Sequence, residues 1–580
     1  MNSSASVKEY KKAVADYKRT ANKEKKYKIE QIINEIKSQI SSGLRDDDAE
    51  YKAYTKMVRR YNDLTEKYSE DLFGYSKKEL RAKNKEIKSL KAEIEKKRIR
   101  IEEKKSNAAF KGQNPFEWRF EFPEILDDDG AFIGFDCIVT NPPYIEFKKL
   151  GSTTKKFLER FLTAKGKYDL FVTFIELSNA ILKTKGQIAS INPTTFMKRD
   201  YGNALRNYIK RNLRIYKILD FCDSQIFPSA TTYTGLFFFS KELEKSYSFD
   251  YHKYTAQTKA KDIENNGFGD YDTSYRQIIS VNCDELEKDS WVFLNPEEDK
   301  LFSKLCHSSL NMESICKYIF VGIQSGKDAV FFVNDRDIEE YSLEKDIIYP
   351  ILKGEDVHSY KYNWGGTYII YPYDINNHVI DESTMQINYP NVYAYLSEKR
   401  KMLSGRGYFD RSNKVWYELW CERNLAKFRQ RKIVNCEISN DNRFSIDDNY
   451  YLGNTKVFCS VLKNEYNHLY EYVTVLLNSK LMNYVTRQIS TPKAGGAYEH
   501  KTQFINKYPI RINEKFVDRM NDIYQQIFNS NDANRENILK KADKIVYYLY
   551  GLTYEDIMIV DPKTPITREE YEGSLKLPFD

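Results

Sequence analysis

The sequence lacks the features of zinc-binding, secreted and membrane-spanning proteins. Its eight cysteines are scattered, with no Cys-x-x-Cys pair and no histidine at ligand spacing, so we expect reduced thiols and no metal site. No stretch is long and uncharged enough to span a bilayer, and the first residues have no apolar run behind their charges. These absences predict a soluble protein of the cytoplasm.

A strong excess of charge is also absent. The 91 basic and 84 acidic residues give a formal net charge of +7, which permits contact with a polyanion without demonstrating it. The 46 tyrosines and 33 phenylalanines offer stacking faces for single-stranded or flipped bases, although aromatic cores in a lysine-rich protein explain the same count. With 580 residues, 41% of them hydrophobic, the chain is long enough for several domains.

Glycine and proline are nearly absent from residues 1–110, where Lys, Glu and Arg dominate. Two apolar stripes at helical spacing predict two long helices, which we expect to pack as an antiparallel hairpin turning near residues 41–43. The stripes are formed by Ile29, Ile32, Ile33, Ile36 and Ile40, and by Leu80, Ile87, Ile94 and Ile101. This region is either an arm that clamps DNA or docks a partner, or a charged structural insertion.

After this region the periodicity becomes that of an α/β domain, residues 111–245. Strands are predicted at 135–140, 187–191, 215–221 and 233–239, with helices at 168–183 and 201–211. The order is one half of a doubly wound sheet. Residues 246–314 are expected to connect it to an α+β domain at 315–515 and a helical segment at 516–580. The predicted fold class is therefore α/β, a partial Rossmann-like sheet preceded by a long helical hairpin and followed by an α+β domain.

One buried strand, 135–140, runs directly into Asn141-Pro142-Pro143-Tyr144. The carboxyl end of such a strand is where open α/β sheets bind ligands. The prolines fix φ and remove two backbone donors, so the Asn141 side-chain oxygen and the Pro142 carbonyl can accept both N–H groups of an amino substituent. These bonds would aim the nitrogen lone pair at an electrophile, and Tyr144 offers a stacking face for a base.

This motif resembles the catalytic motif of amino-methyltransferases that act on adenine in DNA. The flanking segments NPFEWRFEFPEIL, KYDLFVTFIE, GQIASINPTTF and FPSATTYTGLFFF are similar, in the same order, to conserved blocks of γ-class enzymes of the type IIG restriction–modification kind. The resemblance implies a bacterial or archaeal protein. It also implies catalytic roles for the Asn141–Tyr144 motif and a target-base pocket. That pocket would contain Tyr168, Asp169, Phe171 and Phe239, with Phe237 and Phe238 as alternatives for the last aromatic.

The carboxyl-terminal segments VGIQSGKDAVFFV, ILKGEDVHSY, YLGNTKVF and FINKYPI resemble a target-recognition domain of the same enzymes. Such a domain implies double-stranded DNA with a flipped adenine as the partner, read through the major groove. Candidate DNA contacts are Lys327, Lys353, Arg406 and Lys493. Methylation of a glutamine side-chain amide is a rival interpretation of the motif, but enzymes of that kind are small and lack a large carboxyl-terminal domain.

A site for the methyl donor S-adenosyl-L-methionine is missing from the sequence. Such a site needs a glycine-rich turn after a strand and an acidic residue after the next strand. Glycines ahead of Asn141 are isolated, and Gly267-Phe268-Gly269 lies among polar loop residues. We therefore expect a split or truncated adenine-N6 methyltransferase of a restriction–modification or phage-defence system, with the cofactor bound mainly by a missing half or companion subunit. The alternative is a catalytically inactive DNA-binding specificity subunit.

Overall fold

This computed structural model describes residues 4–22, 25–30, 32–33, 56–58, 60–61, 64, 85–97, 118–127, 131–222, 224, 233–242, 244–254, 276–403 and 412–574. The chain divides into two compact units, residues 1–136 with 181–186 and residues 137–180 with 187–580. Among the helices in the described ranges, none has the length and apolar character needed to cross a membrane.

The helices and strands alternate along most of the described chain. The α-helices are Ser4–Arg19, Trp118–Glu121, Ser152–Leu158, Phe171–Ile181, Asn203–Asn212, Pro296–Cys306, Met312–Ile315, Asp328–Phe331, Asp335–Glu340, Glu382–Asn388, Pro390–Glu398, Arg400–Leu403, Leu425–Phe428, Tyr470–Asn478, Lys480–Ile489, Thr502–Ile505, Val517–Asn529, Asp532–Leu549, Tyr554–Val560 and Arg568–Ser574. The strands are β1 Phe135–Thr140, β2 Leu182–Pro193, β3 Arg214–Asp220, β4 Thr234–Ser240, β5 Ser248–Tyr254, β6 Arg276–Asn282, β7 Leu310–Asn311, β8 Cys316–Val321, β9 Phe332–Val333, β10 Ile348–Leu352, β11 Tyr368–Ile370, β12 Lys432–Cys436, β13 Ile438–Ser439, β14 Phe444–Asp447, β15 Leu452–Gly453, β16 Val457–Leu462, β17 Pro492–Lys493, β18 Ala497–Glu499 and β19 Pro509–Ile510.

The described residues before residue 98 are helical except for 20–22. Tyr10 on the first helix is fully buried against Ile29 and Ile33, two members of the first predicted stripe. Residues 85–97 are also helical, and Ile87 and Ile94 of the second stripe are half-buried there. Ile32 of the first stripe is 49% exposed, so the structure does not bury it as the stripe predicted. The stripe residues Ile36, Ile40, Leu80 and Ile101, and the predicted turn at 41–43, lie outside the described residues.

The first sheet contains all four strands predicted from the sequence. Its order is β1-β2-β4-β3-β5-β6. β4 runs antiparallel to both β2 and β3, whereas β3 and β5 are parallel. The sheet is therefore mixed, and β2, β3 and β5 all point in one direction with β4 reversed.

The sheet also extends beyond residue 245, the predicted end of the α/β region. β5 and β6 lie in the segment 246–314, which the sequence suggested as a connection, and they pair antiparallel with each other. The residues of β5 alternate between exposed and buried, beginning Ser-Phe-Asp-Tyr. This period of two is the signature of a half-buried strand, so the signal was present in the sequence.

The carboxyl-terminal part mixes short strands with helices, as predicted. One sheet has the order β15-β10-β11-β9 and another β14-β12-β16-β8. Residues of the helices 470–489 and of the closing helices 517–574 share one hydrophobic cluster with the second of these sheets. Inside that sheet, Lys432 of β12 lies opposite Asp447 of β14, and the Lys432 Nζ is 2.5 Å from an Asp447 carboxylate oxygen with both side chains fully buried.

Substituting one partner of this buried ion pair should be costly. Lys432→Ala would leave the Asp447 carboxylate without its cation in the core, and we expect the free energy of unfolding to fall by about 3–5 kcal/mol. Urea denaturation followed by circular dichroism measures the change. Arg568→Ala, which removes exposed ion pairs with Glu555 and Glu572, is the control and should change the urea midpoint little. A double variant Lys432→Met/Asp447→Leu should recover most of the loss, and failure to do so would contradict the electrostatic cause.

Candidate active site and specificity domain

The Asn-Pro-Pro-Tyr loop leaves β1 at the edge of the sheet and is tied to β2. Asn141 and Pro143 are exposed, while Pro142 is buried. The Tyr144 hydroxyl donates to the carbonyl oxygen of Ile191 at 2.9 Å and lies 3.2 Å from the Asn141 side-chain oxygen. Burial raises the pKa of Tyr144 to about 12, so the hydroxyl remains a neutral donor. The loop therefore has a fixed anchor beside an exposed amide.

Backbone hydrogen bonds bring the second predicted block to this loop. The Phe147 N–H donates to the Tyr168 carbonyl at 2.9 Å, and the Leu170 N–H donates to the Ile145 carbonyl at 2.8 Å. The Tyr168 ring packs against Phe147, and the Phe171 ring meets Tyr144 edge to face, with centroids 6.4 Å apart. Three predicted pocket residues, Tyr168, Asp169 and Phe171, thus lie together beside the catalytic motif.

Asp169 is surrounded by residues that the sequence had not singled out. Burial raises the pKa of Asp169, although a hydrogen bond from Tyr201 and the positive charge of Arg199 oppose that shift. The Tyr201 hydroxyl also lies 2.8 Å from the Thr195 hydroxyl. Thr195, Arg199 and Tyr201 all follow the carboxyl end of β2, where a polar run after a buried strand was the available signal.

Phe239 does not lie at this cleft, which corrects its predicted place in the base pocket. It is fully buried and pairs across the sheet with Ile188 and Ile215. The cleft end of β2 pairs instead with Thr234. Because β4 runs antiparallel to β2, its first residue faces the cleft and Phe239 lies about 17 Å farther along the strand. The alternatives Phe237 and Phe238 are also strand residues, and Phe237 is fully buried.

The loop after β2 is fastened to the β17–β18 hairpin through a buried carboxylate. Glu499, which is 1% exposed, accepts from Arg199 at 2.6 Å. Lys493 and Lys501 each lie 3.1 Å from the same carboxylate oxygen. Burial opposes ionisation, but the positive charges of Arg199, Lys501 and Lys493 outweigh it and lower the pKa of Glu499 to about 2. We call these residues, Arg199, Lys493, Glu499 and Lys501, the Glu499 cluster.

The predicted DNA contacts have different surroundings. Lys493 belongs to the Glu499 cluster, and Lys353 forms an ion pair with Glu355 at 2.8 Å. Lys327 is exposed just before the short helix 328–331, with no ion pair among the described residues. Arg406 lies outside the described residues. In the described part of the chain, no contact joins any two of these lysines.

The two glycines after Lys493 leave room for a close approach. Gly495 and Gly496 have φ angles of 76° and 73°, in the left-handed region that favours glycine. No atom lies within 4 Å of the position that a Cβ would occupy at either residue. The loop therefore has open space on the side where a phosphate could meet its backbone.

Two segments of the chain match known protein families. Residues 6–227 match the family described as Eco57I restriction-modification methylase, and residues 349–510 match the TaqI-like C-terminal specificity domain. The chain is therefore similar to type II restriction–modification methyltransferases. One such relative is the type II methyltransferase M.BanIII of Aneurinibacillus aneurinilyticus, with 23% identity over 74% of this chain and 79% of the relative.

Some similar proteins are longer than the region they share with this chain. The type II restriction enzyme and methyltransferase RM.Eco57I of Escherichia coli is 25% identical over 60% of this chain, but only 37% of that protein is covered. The type IIL restriction-modification enzyme MmeI, solved in complex with DNA, has a similar fold with a TM-score of 0.50 at 12% identity. The match covers 76% of this chain and 57% of the MmeI chain. The chain thus spans about half the length of these larger enzymes.

The Glu499 cluster should make stability depend on pH. A carboxyl group whose folded pKa is depressed stabilises the fold above its unfolded value of about 4.3, and that contribution is lost as pH falls toward the folded value. Glu499→Gln should therefore lower the free energy of unfolding by about 3 kcal/mol at pH 7. The difference from the unmodified protein should shrink between pH 5 and pH 2 in thermal melts.

The control is Glu398→Gln, because Glu398 is exposed and has no ion pair in the described ranges. Its melting temperature should follow that of the unmodified protein at every pH. A Glu499→Gln deficit that stays constant down to pH 2 would show that ionisation of this carboxylate does not stabilise the fold.

Proposed function

We propose that this protein is the catalytic and target-recognition part of a site-specific DNA adenine-N6 methyltransferase in a restriction–modification or phage-defence system. The main support is the position of Asn141, exposed at the end of β1 and held beside β2 by the Tyr144 hydroxyl. The match of residues 349–510 to a specificity domain favours DNA over a protein amide as the substrate.

The chemistry follows from hydrogen bonding to the target amino group. The adenine N6 has two N–H donors, and the Asn141 Oδ1 and the Pro142 carbonyl oxygen are two acceptors on one rigid loop. The Pro142 carbonyl accepts no hydrogen bond within the described residues, so it is available to a ligand. When these two oxygens accept hydrogen bonds from both N–H groups, the nitrogen lone pair is drawn out of the ring system and points outward. S-adenosylmethionine, when bound, supplies the electrophilic methyl group.

The base must leave the duplex to reach these acceptors, and aromatic side chains give it a surface to stack on. Tyr144 is half-buried, with its hydroxyl fixed on Ile191 and its ring edge to face with Phe171. Asp169 lies next to them. Because its pKa is raised, its carboxyl group binds a proton more readily than an ordinary aspartate does. Tyr144 therefore serves as the stacking residue and Asp169 as a polar wall of the pocket.

Asn141→Ala should reduce methyl transfer by about a thousandfold or more in the assembled enzyme, because one of the two acceptors of the amino group is lost. Duplex affinity should change little, since phosphate contacts elsewhere dominate binding. Transfer of labelled methyl groups beside gel-shift titrations measures both quantities. Tyr144→Phe keeps the stacking ring and loses only the anchor on Ile191, so it should retain more activity than Tyr144→Ala. A fully active Asn141→Ala enzyme would overturn the mechanism.

We further propose that the donor site lies on a segment or subunit outside these 580 residues. The sequence contains no glycine-rich turn of the kind that approaches the cofactor. β1 is an edge strand, with no partner on its outer side among the described strands. Its Val139 side chain is 81% exposed, which is unusual for an apolar strand residue and supports a missing neighbour.

Calorimetry with the purified chain tests this second proposal. We expect no binding of S-adenosylmethionine at micromolar concentrations, with binding and methylation appearing when a companion protein that carries the glycine-rich turn is added. Val139→Lys should block this assembly. Ile387→Lys, at an apolar residue of the specificity domain that is 77% exposed, is the matched control and should not. Micromolar donor binding by the chain alone would refute the proposal, and DNA binding without methylation in the assembled complex would favour the inactive specificity subunit.

A further inference from the structure

A cavity of about 290 Å³ lies at the carboxyl ends of three strands that point in the same direction. Its lining includes Thr194 after β2, Asp220 at the end of β3 and Lys253 near the end of β5. The opposite wall comes from the specificity domain, with Arg487 and Tyr498. No residue of the Asn141 loop or of the 168–171 segment lines it. Thr195, whose hydroxyl meets Tyr201 beside Asp169, is a further lining residue, so the cavity adjoins the Asp169 surroundings without including the Asn141 loop. It lies at the sheet edge where ligands of α/β folds bind.

The cavity lining contains two lysines, Lys198 and Lys253, and one carboxylate, Asp220. Lys198 is half-buried, and its ammonium donates one described hydrogen bond, to the Ser490 carbonyl at 3.0 Å. Burial and the neighbouring charge of Lys253 lower the pKa of Lys198 to about 8, which leaves it largely charged at neutral pH. In the described ranges no carboxylate forms an ion pair with either lysine. An ammonium has three N–H donors, so Lys198 retains unsatisfied donors at the cavity.

The carboxylate that lines the cavity is already engaged. Asp220 accepts from the Cys222 N–H at 2.8 Å through one oxygen and from the Tyr251 hydroxyl at 2.7 Å through the other. At the rim, Arg487 lies 3.6 Å from Asp441, and the Arg487 side chain is 53% exposed. Asp220 therefore offsets part of the positive charge without occupying the donors of Lys198.

Aromatic rings complete the lining. Trp291 is fully buried, and its indole N–H donates to the Leu286 carbonyl at 3.2 Å, which fixes the ring. Tyr254 packs against Phe221, with ring centroids 5.3 Å apart. Cations beside aromatic faces are the combination that binds nucleotides, with the phosphate on the cation and the base on the ring. The volume is at the lower end of the range of about 300–1,000 Å³ for small-molecule sites.

We propose that this cavity binds a phosphorylated nucleotide, with Lys198 and Lys253 on the phosphate and the aromatic lining beside the base. The nucleotide comes either from the bound DNA strand or from free solution, and both sources present the same chemistry. The inference rests on the proposed function only for the DNA source. The cavity lies apart from the Asn141 loop, so its occupant is distinct from the target adenine.

Binding measurements on the purified chain test the proposal without any methyl transfer. One arm titrates deoxyadenosine monophosphate by calorimetry, and the other titrates a 20-base-pair duplex over a range of salt concentrations. Lys253→Met is the main variant, since Lys253 makes no described hydrogen bond that the fold would lose. Lys198→Met is the second variant. Lys300→Met, on the exposed face of the helix 296–306, is the matched control.

A DNA source predicts that Lys253→Met weakens duplex binding at least about tenfold and lowers the slope of log affinity against log salt by about one, while the mononucleotide does not bind. A free nucleotide predicts mononucleotide binding that Lys253→Met weakens about tenfold, with the duplex unaffected. The control should change neither. If both variants keep their melting temperature and bind both ligands like the unmodified protein, the cavity is not a nucleotide site. These experiments measure binding and not methyl transfer, so their outcomes do not depend on whether Asn141 variants lose catalysis.

Discussion

The carboxylate of Glu499 is the constraint on which the relation between the first sheet and the specificity domain depends. It is buried and accepts from Arg199, which follows β2, while Lys493 and Lys501 approach it from the specificity side. Removing one partner of such a cluster weakens the compensation of a buried charge, so the elements are held together. The loop that carries Arg199 also carries Thr195 and Tyr201 beside Asp169. The proposed base pocket and the specificity domain are therefore connected through one short segment.

The Glu499 cluster also affects how much positive charge the candidate DNA contacts retain. Arg199, Lys493 and Lys501 surround Glu499, and Lys501 also pairs with Glu437 at 3.2 Å, so three cations face two carboxylates and one positive charge is left in excess near the open Gly495-Gly496 loop. Lys493 alone is partly neutralised, but the cluster as a whole still attracts phosphate. Lys353 has its own carboxylate partner and keeps less of its charge for DNA. Lys327, exposed and without an ion pair in the described part, is the better isolated candidate.

Local features of the sequence were enough to predict the catalytic loop but not its surroundings. An apolar run followed by two prolines identified β1 and the Asn141 motif, although the strand is not buried as predicted. The order of the flanking blocks indicated that Tyr168 to Phe171 lie beside it. The prediction that Phe239 lies in the base pocket was wrong because the local sequence does not specify the direction of a strand. β4 runs antiparallel to β2, so its last residues lie at the end far from the cleft. The Arg199–Glu499 pair joins residues 300 positions apart, and nothing in either local segment predicts the other. The alternation of polar and apolar residues in β5 was present in the sequence. It was not used because the α/β region was predicted to end at residue 245.

β2 is the element that both sites share. Its Ile191 carbonyl anchors Tyr144 on one side, and Thr194, three residues later, lines the cavity that contains Lys198. A slip of one residue in the pairing of β2 with β4 would send alternate side chains to the opposite face and displace both anchors together. The two sites also differ in chemistry, since the Asn141 loop presents hydrogen-bond acceptors and the cavity presents cations. Acceptors suit an amino group and cations suit a phosphate. One strand therefore positions two sites with complementary chemistry, the two that we propose for the target adenine and for a nucleotide phosphate.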